Sequence, residues 1–334
     1  MEALIIGLTL LVVLGAYLAL QMRDLLAGVI GLGVVGLGVA IVFLLLGAPD
    51  IAITQVVVEV IVVAALIRAC SRLAPEDVTA TRIRPGAVAG VGLALVSLGF
   101  VVWGLVDLPA FGSRPSVLAE WYLAHAAAAT GAANAVTAVL LDFRAYDTLG
   151  EATVILTAVA GTLVVLRHRT ATDRAPVEAT HPMTEAGVFG PIVGIVARWM
   201  VSFVLILGLA VAFYGHLTPG GGFAGGVIIA CAFVLATLAF GSGQGAAATF
   251  GKLASSLDAV GAIALLVLAL AGFTAGSVLQ QWVTLGEPFS LGSTPSLVLL
   301  NLAILLKVGA GLFAAFLAVA AFRRGPPDEE GATP

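Results

Sequence analysis

The chain has 334 residues, of which 60% are hydrophobic and only 10% charged, with a formal net charge of −4 and a mean hydropathy of +1.13. A soluble globule usually carries about 25% charged residues, so this composition excludes one and points to an all-α, polytopic membrane protein. Nothing in the charge supports a nucleic-acid partner: part of the acidic surplus is Asp328, Glu329 and Glu330, in a 325–334 tail that Pro326 and Pro327 mark as disordered.

Apolar runs of spanning length fall at about 2–20, 25–46, 50–69, 86–106, 147–167, 192–214, 222–241, 256–276 and 297–322. The first has no basic leader and is expected to remain as a membrane helix. A tenth segment, 117–143, is alanine-rich and polar at Glu120, His125 and Asn134. The basic residues decide its role. If it spans, the connection carrying Arg68, Arg72, Arg82 and Arg84 lies opposite the one carrying Arg167, Arg169, Arg174 and Arg198, against the positive-inside rule. If it lies laterally or re-enters, both share one side with Arg23, Lys252, Arg323 and Arg324. These are twelve of the fifteen basic residues, leaving Arg114 and Arg144 outside and Lys307 in the membrane. The expectation is nine transmembrane helices plus a lateral or re-entrant helix, with the N-terminus outside and the C-terminus cytoplasmic.

Two polar stretches divide the chain into a three-helix unit (1–72), a two-helix unit with the lateral segment (84–169), a linker (170–189) and a four-helix unit (190–324). No loop is long enough for a soluble catalytic domain. Cys70 and Cys231 form neither a disulfide framework nor a metal pattern, and no cofactor is expected.

In the first unit, Gly47-Ala48-Pro49-Asp50 reads as a turn feeding a helix, with Asp50 as its N-cap. Glu59 lies roughly 13 Å along that helix, near the middle of a hydrocarbon core about 30 Å thick. A charge at that depth costs roughly 2.5 to 3.5 kcal/mol on insertion scales, so such a residue normally faces protein or water and serves an ion or proton route. Gln55 shares its face. The bland alternative is a protonated glutamate that only joins two helices. The second unit closes with LLDFRAYDTLGE, which puts Asp142, Arg144, Asp147 and Glu151 at a membrane boundary. Asp147 fits a helix cap, Glu151 lies one turn inside the span, and Arg144 has Asp142 and Asp147 as possible partners. His125 and Asn134 extend the polar positions, although a lone histidine there is more often an interface residue.

The third unit opens with GHLTPGGGFAGG, in which Pro219 stops one helix. Gly220, Gly221 and Gly222 allow a break, and Gly225 and Gly226 allow close helix approach. No GK[ST] follows, so a phosphate cradle is excluded. His216 is the titratable group of this stretch. Lys307 sits near the middle of the last span, with Asn301 two turns earlier. At that depth it cannot reach either surface easily and should meet a partner carboxylate or a hydrated cavity. Asp258 reads as a cap near the end of the eighth span.

The strings GAPDIAITQVVVEV and LLDFRAYDTLGEATVILTAVAG resemble the C-terminal part of the large A subunit of Mrp-type Na+/H+ antiporters, and the corresponding small subunits of energy-converting membrane-bound hydrogenases. GHLTPGGGFAGGVIIA and NLAILLKVGAGLFAAF resemble the B subunit of the same antiporters. The resemblance covers nearly the whole chain as a fusion of modules. It implies membership of a bacterial or archaeal cytoplasmic-membrane complex that moves Na+ and H+, in partnership with a large complex-I-like proton-pumping subunit. The family's intramembrane glutamate falls on Glu59, and the acidic residues of its DFR…DTLGE motif fall on Asp142, Asp147 and Glu151. Ala224 departs from the polar or bulkier residue expected within the glycine-rich motif of many relatives. No fourteen-span antiporter domain, iron–sulfur cysteine pattern or nucleotide fingerprint is present, so the chain is not expected to complete a transport cycle alone. Rivals to that role are the coupling subunit of a redox complex and a structural scaffold.

Overall fold

The computed structural model describes residues 2–22, 24–70, 85–106, 108, 113, 116–172, 191–240 and 244–321. Most of the linker and the tail proposed from composition lie outside this set, as do Arg23, Arg72, Arg82, Arg84, Arg114, Arg174, Arg323 and Arg324. Among the described residues the fold is helical, and nine helices are long and apolar enough to cross a membrane. They are α1 (Glu2–Gln21), α2 (Leu25–Leu45), α3 (Pro49–Cys70), α4 (Pro85–Val106), α7 (Ala145–Thr172), α8 (Pro191–Phe213), α9 (Gly222–Phe240), α10 (Gln244–Ala271) and α11 (Pro295–Ala321). Between α4 and α7 lie α5 (Val117–Thr130) and the short α6 (Ala135–Ala138), which continues as a π turn, Val139–Phe143.

The chain is a multi-pass membrane protein whose organising helix is the last. Most of α11 is buried, and it packs against α9, α10 and α7. Small residues make this possible. A Cβ on Gly226 would fall 2.8 Å from the Leu305 carbonyl oxygen, and one on Gly261 would fall 2.6 Å from the Lys307 nitrogen. Such stripes let backbones approach where lipid offers no hydrophobic drive between helices. Helices α1, α2 and α3 pack in sequence, and α3 lies against α9. The side chains of α4 described from Ala89 to Val106 are all exposed.

The segment 117–143 is a bent pair with an angle of 81° between its halves. The bend has a local cause. The Thr130 hydroxyl donates back to the Ala126 carbonyl (2.8 Å) and accepts from the Ala132 N–H. Gly131 then ends α5 at φ +73°, where a side chain would also strike the Ser293 carbonyl oxygen. Asn134 restarts the chain as N-cap of α6 through the Val136 N–H (2.9 Å). The π turn that follows carries Asp142, and the Thr148 hydroxyl donates to its Leu140 carbonyl at 2.6 Å. Single π turns of this kind are frequent at functional sites.

Candidate functional site: buried charges beside a broken helix

Glu59 lies ten residues into α3, about 15 Å along its axis. Gln55 Nε2 donates to its Oε2 at 3.2 Å, one helical turn away. The carboxyl lies directly over Gly36 of α2, where any added Cβ would overlap it. Its other oxygen, Oε1, is buried with no hydrogen-bond partner. Buried oxygens are nearly always satisfied. Oε1 is an acceptor that a proton or a cation could engage.

Lys307 is 0% exposed and its Nζ meets Asp258 Oδ1 at 2.5 Å, with Asp258 itself 5% exposed. Asp258 is therefore not a cap: α10 begins at Gln244, so the carboxylate lies fourteen residues inside the helix, at Lys307's depth. Its Oδ1 sits over Gly311, where a Cβ would fall 2.7 Å away. A buried ion pair of this kind must be intact, because either partner alone is an uncompensated charge.

The entry to α9 is a break between Phe213 and Gly222. Gly220 and Gly221 have φ of +140° and +109°, values that only glycine adopts freely. Asn301 Oδ1 accepts the Gly222 N–H at 2.7 Å, tying the break to α11. Pro219 stands exposed at its turn, whereas Ala224, Gly225 and Gly226 are buried in the packing of α9. A Cβ on Gly225 would fall 2.6 Å from the Gly208 carbonyl oxygen of α8. His216 is fully buried, its Nε2 3.3 Å from the Ser290 carbonyl oxygen and its Nδ1 unpartnered.

Two other expected caps have different roles. Asp50 lies inside the first turn of α3, and its Oδ1 accepts from Gly220 N–H (2.9 Å) and Asn134 Nδ2 (3.0 Å). Asp147 lies two residues inside α7 and pairs with Arg144 at 2.5 Å, both side chains being about half exposed. Glu151, one turn on, is also exposed, and Asp142 is partly buried. His125 is exposed on α5 and stacked on Trp121 at 4.5 Å. Among the described residues no hydrogen bond or ion pair joins Glu59, Glu151 and Lys307, and no three His, Cys, Asp or Glu side chains gather as a metal site.

Sequence reasoning missed the pairing of Asp258 and the tie made by Asp50. The first had one signal: Asp258 and Glu287 are the only acidic residues between 191 and 321, but a lysine at mid-membrane could equally have met Glu59, Glu151 or a hydrated cavity. The second had no signal, since it depends on two loops from distant parts of the chain.

Comparison with known families gives three consecutive matches: the D subunit of MBH over residues 10–75, the E subunit of MBH over 80–182 and a domain related to the MnhB subunit of Na+/H+ antiporter over 192–314. An uncharacterized protein of Methanocaldococcus jannaschii is 35% identical over 66% of this chain and 90% of its own length. The A/B subunit of a probable K+/H+ antiporter of Rhizobium meliloti is 30% identical over 65% of this chain and 24% of its own. For the A subunit of the Bacillus subtilis Na+/H+ antiporter the figures are 33%, 46% and 19%. Thus the chain spans less than a quarter of these antiporter proteins. Among solved structures, a chain of the Mrp complex from Dietzia sp. matches 98% of this chain and 35% of its own length, at 27% identity and TM-score 0.75. A chain of an archaeal membrane-bound sulfane sulfur reductase matches 70% of this chain and 97% of its own, at 30% identity and TM-score 0.52. The chain belongs to the family of Mrp-type antiporter subunits and their membrane-bound hydrogenase relatives, with D-, E- and MnhB-related segments joined in one polypeptide.

Proposed function

We propose that this chain is a non-redox membrane subunit of a multi-subunit cation/proton antiporter and supplies part of an ion path for H+ or Na+. The observation that carries this reading is Glu59, a carboxyl halfway through a span with one buried oxygen left without a partner. Such a group alternates between protonated and ionised forms as an ion passes. The Asp258–Lys307 pair holds a second charged station, and the exposed Asp147 and Glu151 face of α7 a third. Asp142, Gln55, His216 and Asn301 supply polar groups around these stations. A charge at half depth also crosses part of the membrane potential, worth about 2.3 kcal/mol per charge per 100 mV over the full width.

The three units act as modules around a large complex-I-like pumping subunit, and the complex resides in the cytoplasmic membrane with the N-terminus of this chain outside. The chain serves transport and performs no chemistry of its own. Support comes from the antiporter relatives and from the Mrp-complex match. A second reading, the coupling subunit of a redox complex, is favoured by the sulfane sulfur reductase chain, of which this chain covers nearly all.

The test is transport in inverted vesicles holding the complex with and without this chain. Cation-driven proton movement that requires the chain, with no dependence on sulfur or hydrogen turnover, supports the antiporter. Movement that requires such turnover supports the redox complex. Transport unaffected by removing the chain overturns both.

A further inference from the structure

Three segments that match separate family models meet at one carboxylate. Asp50, on the first turn of α3, accepts the Gly220 N–H of the glycine-rich break and the Asn134 side-chain amide from the α5–α6 bend. The same amide lies 3.2 Å from the Gly215 carbonyl and 3.1 Å from the Thr218 carbonyl, while Asn134 Oδ1 caps α6. Further ties secure the bend to the break. Asn134 N–H donates to the His216 carbonyl at 3.0 Å, and the Thr137 hydroxyl donates to the Gly215 carbonyl at 2.6 Å. Nine residues along α3 from Asp50 stands Glu59. Near its level α3 touches α9 again, where Cys231 Sγ donates to the Val57 carbonyl at 3.6 Å. The helix bearing Glu59 is thus fixed to the α9 segment at its entry and near its middle.

We propose that Asp50 is a positioning residue: through Gly220 and Asn134 it locks the glycine-rich break and the α5–α6 bend to the Glu59 helix, so that the three move as one unit during transport. This rests on the reading of Glu59 as part of the ion path. It uses Asp50 as a hydrogen-bond acceptor and gives its charge no part in conduction. Asparagine, which keeps a carbonyl oxygen at the same place, should therefore replace it, whereas alanine removes both bonds. Hydrogen bonds to a charged acceptor are among the stronger ones in proteins, and their loss shows as faster local opening.

The experiment uses the whole complex and two readouts. Amide hydrogen exchange is followed in peptides covering 131–138 and 214–225, and cation-driven proton transport is measured in vesicles at matched assembly. Asp50→Ala is expected to speed exchange in both segments roughly tenfold or more and to lower transport at least several-fold, while Asp50→Asn stays near wild type in both. Asn134→Asp, which keeps the α6 cap but turns the amide donor into an acceptor facing Asp50, is expected to reproduce the alanine defect. Unchanged exchange in Asp50→Ala overturns the lock, and faster exchange with full transport overturns its part in transport. Loss of transport in Asp50→Asn at wild-type exchange shows that the charge itself is used, and also overturns the proposal. Glu59→Gln, run alongside, separates the two readings: its full transport would remove the ion-path reading, whatever the exchange shows.

Discussion

Removing one member of the Asp258–Lys307 pair strands a charge that the fold cannot hydrate. The two side chains are 7% and 1% exposed and 2.5 Å apart. Neutralising Lys307 with methionine leaves a buried carboxylate, and neutralising Asp258 with leucine leaves a buried ammonium. Breaking a buried pair in this way costs about 3–5 kcal/mol, whereas replacing both partners with apolar residues is often neutral or stabilising. At about 1.4 kcal/mol per decade, each single variant should lose roughly two to three and a half orders of magnitude in its folded-to-unfolded ratio. The assay is a double-mutant cycle: Lys307→Met, Asp258→Leu and the pair together, each scored by assembled complex on native gels and by thermal aggregation of the detergent-solubilised complex. The singles should assemble poorly and melt early, and the double should recover most of the loss. Transport then separates structure from function, because the double variant should assemble but not conduct if the pair is a station on the ion path. Single variants that assemble and melt like the wild type would show that neither charge is stranded by loss of the other.

Other expectations follow from the same geometry. Gly36→Ala pushes a methyl into the Glu59 carboxyl; transport should fall in vesicles, and adding Glu59→Gln should lower it no further. Gly222→Ala drives a Cβ into the Asn301 carbonyl of α11, an overpacking worth about 1–3 kcal/mol that should appear as reduced complex on native gels. Arg144→Gln breaks a half-exposed pair worth about 1 kcal/mol or less. Assembly should stay intact, so a transport defect in that variant would report on function at Asp142, Asp147 or Glu151.

The helical class and the nine spans were legible because apolar runs of spanning length separated by polar turns permit little else. Composition marked 117–143 as the one ambiguous segment, and Thr130, Gly131 and Asn134 give it the 81° bend. Caps were misjudged for two reasons. Hydropathy starts a helix at its first apolar residue, but α10 begins at Gln244, twelve residues before the apolar run at 256. A carboxylate taken for a terminus was thus an interior residue. The error at Asp50 was one of reach, since its acceptor oxygen serves a glycine 170 positions away rather than its own helix. Lys307 was legible by cost alone, because a mid-membrane ammonium must meet a carboxylate or a hydrated cavity. Its partner followed only once α10 and α11 were seen side by side.

The most direct test of the account is cation-dependent proton movement in inverted vesicles carrying the whole complex, with Glu59→Gln compared to wild type at equal assembly on native gels. Transport is expected to collapse while the complex stays intact. Undiminished transport would contradict it and leave Glu59 as a neutral contact between α2 and α3.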